Sequence, residues 1–351
     1  MRTFDYRNLD ERIWNRKIVQ LLTAIKEHQS VTRVSAKQIP QVLEKLVEIA
    51  KIQSTSASNA IEGIRTTEKR LKGLVEKTIE PRTRDEEEIS GYRFVLDTIH
   101  QDHDLIPPTA NMILQLHRDL FRYSPVSDGG QFKRGDNIIE EQTVDGQRRV
   151  RFKPPSAAFV PEMLNQLMTT FLEELNRKEV EPLLLIGAFI FDFVSIHPFR
   201  DGNGRLSRLL TLLLLYRSHY TVGKYISIEA FIEKTKDAYY DALLASSHGW
   251  HEGTNDYRPF ITYYLSIILA AYKEFSTRVS GILDQDFNKQ ERVENVFHTK
   301  LGKITKQDIH RLHPDISLKT IEKVISLLLK AQRIDKFGQG KNTYYLKRPS
   351  R

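Results

Sequence analysis

Apolar residues recur every three to four positions over most of this chain, which predicts a mainly α-helical fold. The stretch at 41–51, QVLEKLVEIAK, shows this period. Its helix can continue to Glu62, and Gly63 is suited to end it. The two most apolar predicted helices, 183–196 and 204–219, are expected to be the most buried. The other predicted helices lie at 67–77, 85–99, 109–121, 161–175, 228–246 and 259–277.

One segment departs from the helical period. At 137–153 the chain reads NIIEEQTVDGQRRVRFK, with β-type runs on both sides of Asp145-Gly146, a dipeptide typical of tight hairpin turns. Pro154-Pro155 then ends the second strand. Because a lone hairpin is marginally stable in water, we expect this one to pack on the helical body or on a partner.

The pattern changes again after about Thr277. Thr305 and Ser317 are placed to cap two short helices, and IDKFGQGKNTYYLK then reads as two strands around a glycine-rich turn. Helix, turn, helix and hairpin follow one another in this order in a winged helix. We therefore predict a helical N-terminal region at 1–85, a central, mainly helical core at 86–280 and a winged-helix-like domain at 285–351.

Composition narrows the function classes. The 351 residues are 40% hydrophobic and 28% charged, with a net charge of +8, which favours acidic partners such as nucleotides or nucleic acid or simply reflects a basic surface. The absence of cysteine excludes disulfides, thiolate zinc sites and a cysteine nucleophile. Residues 1–17 lack the apolar run of a secretory signal, and no stretch reaches the ~18 apolar residues of a membrane span, so a cytoplasmic protein without membrane contact is expected.

The most informative segment is HPFRDGNGRLSR at 197–208, between the two most apolar helices. Gly202 and Gly204 permit backbone conformations that let successive N–H groups face an anion at a helix N-terminus. Arg205 and Arg208 are three residues apart on one helical face, where an anion between them would offset their repulsion. These features predict a phosphate-binding turn.

Two other side chains of this segment suit the same chemistry. Asp201 offers a carboxylate for Mg²⁺, which prefers oxygen ligands shared with phosphates. His197 lies just past an apolar helix, and its ordinary pKa range suits a general base.

The segment resembles the signature of the Fic family, H-x-F-x-[DE]-G-N-G-R-x-x-R. The resemblance implies a helical bundle with a β-hairpin flap, and transfer of AMP from Mg²⁺-bound ATP to a Tyr, Thr or Ser hydroxyl of a protein, with release of diphosphate. It further implies that His197 takes the hydroxyl proton, Asp201 binds Mg²⁺ and Phe199 anchors the loop. In the same way, Gly202, Asn203 and Gly204 would surround the phosphates, while Arg205 and Arg208 would hold the β- and γ-phosphates. The matching positions are His197, Phe199, Asp201, Gly202, Asn203, Gly204, Arg205 and Arg208.

Two further stretches extend the resemblance. The run GQFKR at 130–134, followed by the predicted hairpin, is similar to the family's G-x-[FY]-R element and flap. The resemblance implies that a target segment adds as a strand beside Ile138, Ile139 and Val150, whereas a hairpin that only covers the core is the alternative. Tyr239-Tyr240 resembles the paired tyrosines near the family's nucleotide pocket, although core packing is the commoner reason for such a pair on a helix.

SNAIEG at 58–63 resembles the family's inhibitory motif, [ST]-x-x-x-E-[GN]. Glu62 would lie in the last turn of its helix, where a negative charge opposes the helix dipole unless a cation faces it. The resemblance implies that this cation is Arg208, that the pair occupies the γ-phosphate site, and that Ser58 and Gly63 complete the motif.

Several alternatives remain open on the sequence. The chain is an AMP-transferring enzyme, an enzyme that also removes AMP, or a DNA-binding regulator whose Fic core acts as a sensor. A donor other than ATP, such as another nucleotide or phosphocholine, is a further possibility. The expected partners are a target protein or the chain itself. Residues 285–351 carry lysines that could contact DNA, another protein or a second copy in a homodimer.

Overall fold

A computed structural model describes residues 2–38, 40–124, 128–142, 148–286, 289–299, 303–313, 316–338, 340 and 343–348. The chain divides into two compact units, 1–276 and 277–351. The helical region predicted at 1–85 and most of the predicted core belong to the first unit. The mainly α-helical class expected from the apolar period is confirmed.

The first unit is built from helices and one hairpin. Its elements in chain order are α1 (Leu9–Ile13), α2 (Arg16–Gln38), α3 (Pro40–Ile61), α4 (Glu68–Val75), α5 (Arg84–Asp102), α6 (Ala110–Leu120), β1 (Ile139–Gln142), β2 (Arg148–Phe152), α7 (Val160–Arg177), α8 (Pro182–Ile196), α9 (Asn203–Arg217), α10 (Ile228–Lys234), α11 (Lys236–Ser247) and α12 (Arg258–Asp286), whose last residues lie beyond Ser276.

Local sequence explains where many of these helices begin. Thr67, Thr83, Thr109 and Ser227 each accept a hydrogen bond from the backbone N–H three residues on, the usual N-cap arrangement. The helix predicted at 228–246 is divided into α10 and α11 by Thr235, which has φ −118° and ψ 35°. Its hydroxyl donates to the carbonyl of Phe231, so the side chain competes for a helical acceptor there.

Helices α8 and α9 form the centre of the first unit. Nearly every residue of both helices is buried, as their sequences predicted. Because the two helices are antiparallel neighbours joined by a short loop, the loop at 197–202 is held at the same end of both. Helices α3, α5, α6, α7 and α10 pack around this pair or around each other.

The chain's first residues pack against α8. Asp192 of that helix is fully buried and accepts hydrogen bonds from the hydroxyls of Tyr6 and Tyr257 and from the indole of Trp250, each at 2.7 Å. Arg2 Nη2 lies 3.4 Å from the same carboxylate. Such a buried charge is tolerated because its oxygens are satisfied by donors and a cation.

The predicted hairpin is present. Strands β1 and β2 are antiparallel, Glu140 is opposite Val150, and the register shifts between Ile139 and Glu140. The predicted turn residues Asp145 and Gly146 lie outside the described residues. Phe152 packs against Trp250 and stacks on His251, so the end of β2 is attached to the loop that follows α11.

The second unit contains α13 (Lys289–Thr299), α14 (Lys306–Leu312), α15 (Leu318–Lys330), β3 (Ile334–Phe337) and β4 (Tyr344–Lys347). Thr305 and Asp308 form a reciprocal capping box at α14, and Ser317 caps α15, as expected. The buried residues Ile321, Val324, Ile325 and Leu328 of α15 form a core with α13, α14 and the strands. The element order agrees with the predicted winged helix, and that assignment stays a prediction.

No helix among the described residues is both long enough and apolar enough to cross a lipid bilayer.

Candidate active site

A cavity of about 560 Å³ lies where the end of α3, the α8–α9 loop, α11 and the β1–β2 hairpin come together. It brings together residues from four parts of the sequence that were predicted separately. Those that line it are Glu62, Ile139, His197, Gly204, Arg208, Tyr239 and Tyr240, joined by Glu140, Arg151, Lys236 and Asp237, which were not predicted.

His197 ends α8 in a left-handed backbone conformation, with φ 50° and ψ 62°. For a residue other than glycine, this conformation costs on the order of 1 kcal/mol, and it persists because the surrounding structure requires it. The turn directs the chain out of α8 into the loop, and the imidazole lines the cavity.

Burial, and to a lesser extent the positive charge of Lys133, lower the pKa of His197 to about 4. The carboxylates of Glu62 and Asp201 act in the opposite direction. The imidazole is therefore neutral near pH 7 and able to accept a proton.

The loop after His197 is held by side chains that hydrogen-bond to its backbone. Asn203 accepts from the Phe199 N–H at 3.0 Å and donates to the Phe199 carbonyl at 2.8 Å. The predicted role of Phe199 as a buried anchor fits its exposure of 0%. The side chain of Asn203 thus shapes the loop, and only its backbone N–H remains for an anion.

His117 on α6 supports the same loop. Its ring stacks on Phe199 with centroids 3.7 Å apart. Its Nδ1 accepts from the Gly130 N–H at 2.9 Å, so the ring proton is on Nε2, which donates to the Asp201 carbonyl at 3.0 Å. Burial lowers the pKa of His117 to about 4, which keeps this neutral form. His117 therefore joins α6, the start of the hairpin segment and the loop.

The N-terminus of α9 is suited to bind an anion. Gly202 is its N-cap with φ 79°, and a Cβ there would press against the Phe121 ring at 2.9 Å. The first backbone N–H groups of a helix have no partner within it, and the helix dipole adds positive potential. A Cβ on Gly204 would overlap Glu62 Oε1, so the Glu62 carboxylate already lies against this turn.

Glu62 and Arg208 form the ion pair that the inhibitory motif implied. Arg208 Nη2 is 2.8 Å from Glu62 Oε1, and the same guanidinium donates to the Ser58 hydroxyl and carbonyl, each at 2.8 Å. Arg208 is 4% exposed and Ser58 is fully buried. Helix α3 ends at Ile61, and Gly63, with φ 84°, then turns the chain away.

Two residues that the sequence reasoning did not single out hold α3 in place. The buried carboxylate of Glu229 accepts from Ser54 of α3 at 2.8 Å, from Tyr92 at 2.9 Å and from Ser227 at 3.2 Å. At the C-terminal end of the same helix, Lys236 donates to the Ile61 carbonyl at 2.6 Å. Both contacts join residues more than 170 positions apart, so no local pattern could have indicated them.

Arg205 and Asp201 do not line the cavity. Arg205 is 1% exposed; its Nη1 lies 2.7 Å from Glu88 Oε2 and its Nη2 lies 3.5 Å from Asp201 Oδ1. Asp201 Oδ1 accepts from the Gly202 N–H at 2.6 Å, and Arg84 Nη2 lies 3.8 Å from Oδ2. The predicted phosphate role of Arg205 and metal role of Asp201 therefore stay predictions.

The donor set around Asp201 fits Mg²⁺ only in combination with a nucleotide. The described residues contain no group of three side chains able to hold a metal ion. Mg²⁺ is commonly bound by one or two carboxylates plus substrate phosphates and water, and the Asp201 side chain is 56% exposed beside the α9 N-terminus. Asp201 would therefore supply one ligand.

The tyrosine pair and the hairpin form the other wall of the cavity. Tyr239 is 6% exposed and packs on Tyr240 with ring centroids 5.3 Å apart, and the Arg151 guanidinium lies 4.7 Å from the Tyr240 ring. Ile138 and Val150 are about half exposed, at 50% and 53%. Both tyrosines thus face the cavity, and two of the three predicted docking residues face solvent.

Lys133 is a further residue missed from the sequence. Its backbone N–H donates to the Pro198 carbonyl at 3.0 Å and its Nζ donates to Asn137 at 2.7 Å. Burial lowers its pKa to about 8. Lys133 occupies the basic position of the G-x-[FY]-R element. Arg134, the next residue of the same run, is exposed and donates to Gln131.

Residues 107–215, which include α6, the hairpin and the α8–α9 loop, match the Fic/DOC family. A protein adenylyltransferase Fic from Aedes aegypti is 29% identical over 178 residues, 50% of this chain and 30% of that protein. One from Nematostella vectensis is 26% identical over 233 residues, 63% of this chain and 48% of that protein. The matches therefore span less than half of these curated relatives.

Solved structures show the same fold. A Fic family protein from Desulfovibrio desulfuricans superposes with a TM-score of 0.62 at 21% identity, covering 96% of this chain and 97% of that one. A Fic domain signalling protein from Bacteroides thetaiotaomicron gives a TM-score of 0.59 at 22% identity, covering 76% and 98%. The domain at residues 107–215, whose loop and fold are described above, is therefore similar to the Fic/DOC family.

Proposed function

We propose that this chain transfers AMP from ATP to a hydroxyl of a protein, and that Glu62 inhibits the transfer. One observation carries the proposal: a neutral imidazole, the N-terminal turn of α9 and a buried arginine line one cavity beside an exposed hairpin edge. The naming of the Aedes and Nematostella relatives as protein adenylyltransferases supports the same reaction class.

His197 acts as the general base in this proposal. The target hydroxyl gives its proton to His197, its oxygen forms a bond to the α-phosphorus, and the bond from that phosphorus to the diphosphate breaks. The amides of the α9 N-terminus and Arg208 stabilise the phosphate charge. Mg²⁺, when bound through Asp201, supplies additional charge neutralisation. Catalysis then depends on positioning and electrostatics rather than on a covalent intermediate.

The target is proposed to align along the hairpin. The two-stranded sheet contains only β1 and β2 among the described residues, so each strand has one edge without a neighbouring strand. Ile138 and Val150 present exposed apolar surface on this hairpin. An added strand would gain main-chain hydrogen bonds, and its hydroxyl residue would reach the cavity at Ile139. The chain itself is one candidate target.

The proposed inhibition follows from where Glu62 lies. Its carboxylate occupies the space above Gly204 and engages Arg208, so a phosphate group cannot use the same helix terminus and the same guanidinium. ATP then binds in a pose that leaves its α-phosphate out of line with the attacking hydroxyl. Displacement of α3 or loss of the Glu62 charge relieves the inhibition.

Incubation of the Glu62→Gly protein with α-labelled ATP, GTP or UTP and Mg²⁺ tests the activity. We expect label on protein with ATP, little label with wild type, and none when His197→Ala is added. Mass spectrometry then identifies the modified hydroxyl. Failure of the Glu62→Gly protein to label itself or any protein of its source cell, with its fold intact by circular dichroism, would refute the proposal.

Removal of AMP is a second activity to assay. Glu62 lines the same cavity as His197, where it could orient a water towards an AMP–protein bond. Release of AMP from labelled protein by wild type, but not by Glu62→Gly, would support it.

A further inference from the structure

The net positive charge of this chain is confined to the second unit. Residues 277–351 contain 16 Lys and Arg and 8 Asp and Glu, a net charge of +8, which equals the net charge of all 351 residues. The first unit, which carries the cavity, is therefore electrically neutral overall. A charge concentrated in this way needs an explanation other than nucleotide binding, and points to a separate acidic partner.

The acidic residues described in this unit are engaged locally. Glu322 pairs with Lys306 at 2.7 Å, Asp335 with Arg348 at 2.7 Å, and Glu294 with Arg333 at 2.6 Å. By contrast, four exposed lysines form no ion pair with any described residue; they are Lys319, Lys323, Lys330 and Lys336.

Three of these lysines form one stripe on α15. At 3.6 residues per turn, Lys319, Lys323 and Lys330 fall within about 40° of one another around the helix. The apolar face of α15 is buried in the core of the unit, so the lysine stripe faces outward. Ser326 lies on the same stripe and is exposed.

The dimensions of this face match duplex DNA. Lys319 and Lys330 are separated by about 16 Å along the helix axis at 1.5 Å per residue. The major groove is about 12 Å wide, so lysines near the two ends of α15 can reach phosphates on both of its walls. The β3–β4 hairpin adds Lys336 and an exposed Phe337 that stacks on Tyr344.

We propose that the outer face of α15 and the β3–β4 hairpin bind a DNA duplex, with α15 in the major groove and the lysines on its phosphates. The order α14, turn, α15 and hairpin is that of helix–turn–helix proteins that use their second helix for recognition. This inference does not depend on AMP transfer, since none of its residues lines the cavity.

The experiment uses the full chain and a fluorescein-labelled random-sequence duplex of 24 base pairs, with anisotropy measured from 50 to 200 mM KCl. Each lysine–phosphate contact contributes about −0.9 to the slope of log K against log salt. Replacing Lys319, Lys323 and Lys330 together by alanine should therefore make the slope shallower by about 2.7, and should weaken binding about 500-fold at 100 mM salt. The triple arginine variant should bind like wild type.

A matched control replaces three exposed lysines of the first unit, Lys17, Lys45 and Lys69, by alanine and removes the same charge. This control should leave the slope unchanged. An equal loss in both triple variants, or no binding by wild type at 50 mM KCl, would overturn the proposal. Competition experiments give a further test. If poly-L-glutamate or the single strand competes as well as the duplex at equal charge, the face binds acidic polymers or proteins without recognising a duplex. That result would also overturn the proposal.

Discussion

Replacing Glu62 by glutamine keeps the size of the side chain and removes the charge that faces Arg208. A net hydrogen bond between charged groups contributes about 1.5–3 kcal/mol. The Glu62 side chain is 32% exposed, whereas that of Arg208 is 4% exposed, so solvent screening places this contact in the lower part of that range. At 1.36 kcal/mol per tenfold, release of the pair makes Arg208 available to a phosphate about 10- to 40-fold more often.

The assay is the initial rate of AMP incorporation as a function of ATP concentration. We expect kcat/KM for ATP to rise about 10- to 40-fold in Glu62→Gln, and further in Glu62→Gly, which also vacates the space above Gly204. Arg208→Ala in the Glu62→Gln background should abolish the gain. Glu48→Gln, an exposed change on the same helix, should leave the wild-type rate. Equal rates for wild type and Glu62→Gln, with Glu62→Gly active, would show that inhibition is steric and not electrostatic.

Three further predictions concern the residues that support the site. In the Glu62→Gly background, Lys133→Met should raise the pKa of His197, because a nearby positive charge disfavours the imidazolium. The acid limb of the kcat/KM–pH profile should then move to higher pH. His117→Phe keeps the stack on Phe199 but removes one hydrogen bond to Asp201 of the loop and one from Gly130. It should lower kcat about tenfold or more with little change in KM for ATP. Asp192→Asn leaves a buried cation unpaired and should lower the free energy of unfolding by about 3–5 kcal/mol, measured by urea denaturation.

Each of these predictions has a matched exposed control. Arg134→Met should leave the pH profile in place, and His248→Phe should leave kcat unchanged. Asp256→Asn breaks an exposed ion pair with Arg258 and should cost less than about 1 kcal/mol. An unmoved acid limb in Lys133→Met, an unchanged kcat in His117→Phe, or an unfolding cost below that of Asp256→Asn would contradict the corresponding argument.

The helices were predictable where the apolar period was long and the caps were explicit. Ser317 and Thr305 begin α15 and α14 as expected, and the apolar runs around 183–196 and 204–219 became the most buried pair. The division at Thr235 was missed, because a threonine hydroxyl that bonds its own helix is compatible with a continuous helix in the sequence. Helix α2 was also missed, since residues 16–38 carry a weak apolar period.

Within the site, backbone and side chains of the motif took different roles. Gly202 has a positive φ at the N-terminus of α9, whereas Gly204 lies inside the helix, against the Glu62 carboxylate. Phosphate binding at this turn stays a prediction. The side chain of Asn203 instead holds Phe199, and Arg205 is engaged by Glu88 of another helix. Spacing along one helix indicated that the two arginines share a face, and it could not indicate which acids compete for them.

The sequence by itself determined the helical class and the twelve-residue motif from His197 to Arg208, because these depend on interactions within a few residues along the chain. Only the tertiary structure decided which distant groups act on that loop. Glu62 and Arg208 are 146 residues apart, and the contacts of His117, Lys133 and Glu229 likewise join separate elements. Such contacts depend on how α3, α5, α6 and α10 pack around α8 and α9, and burial then sets the charge state of His197.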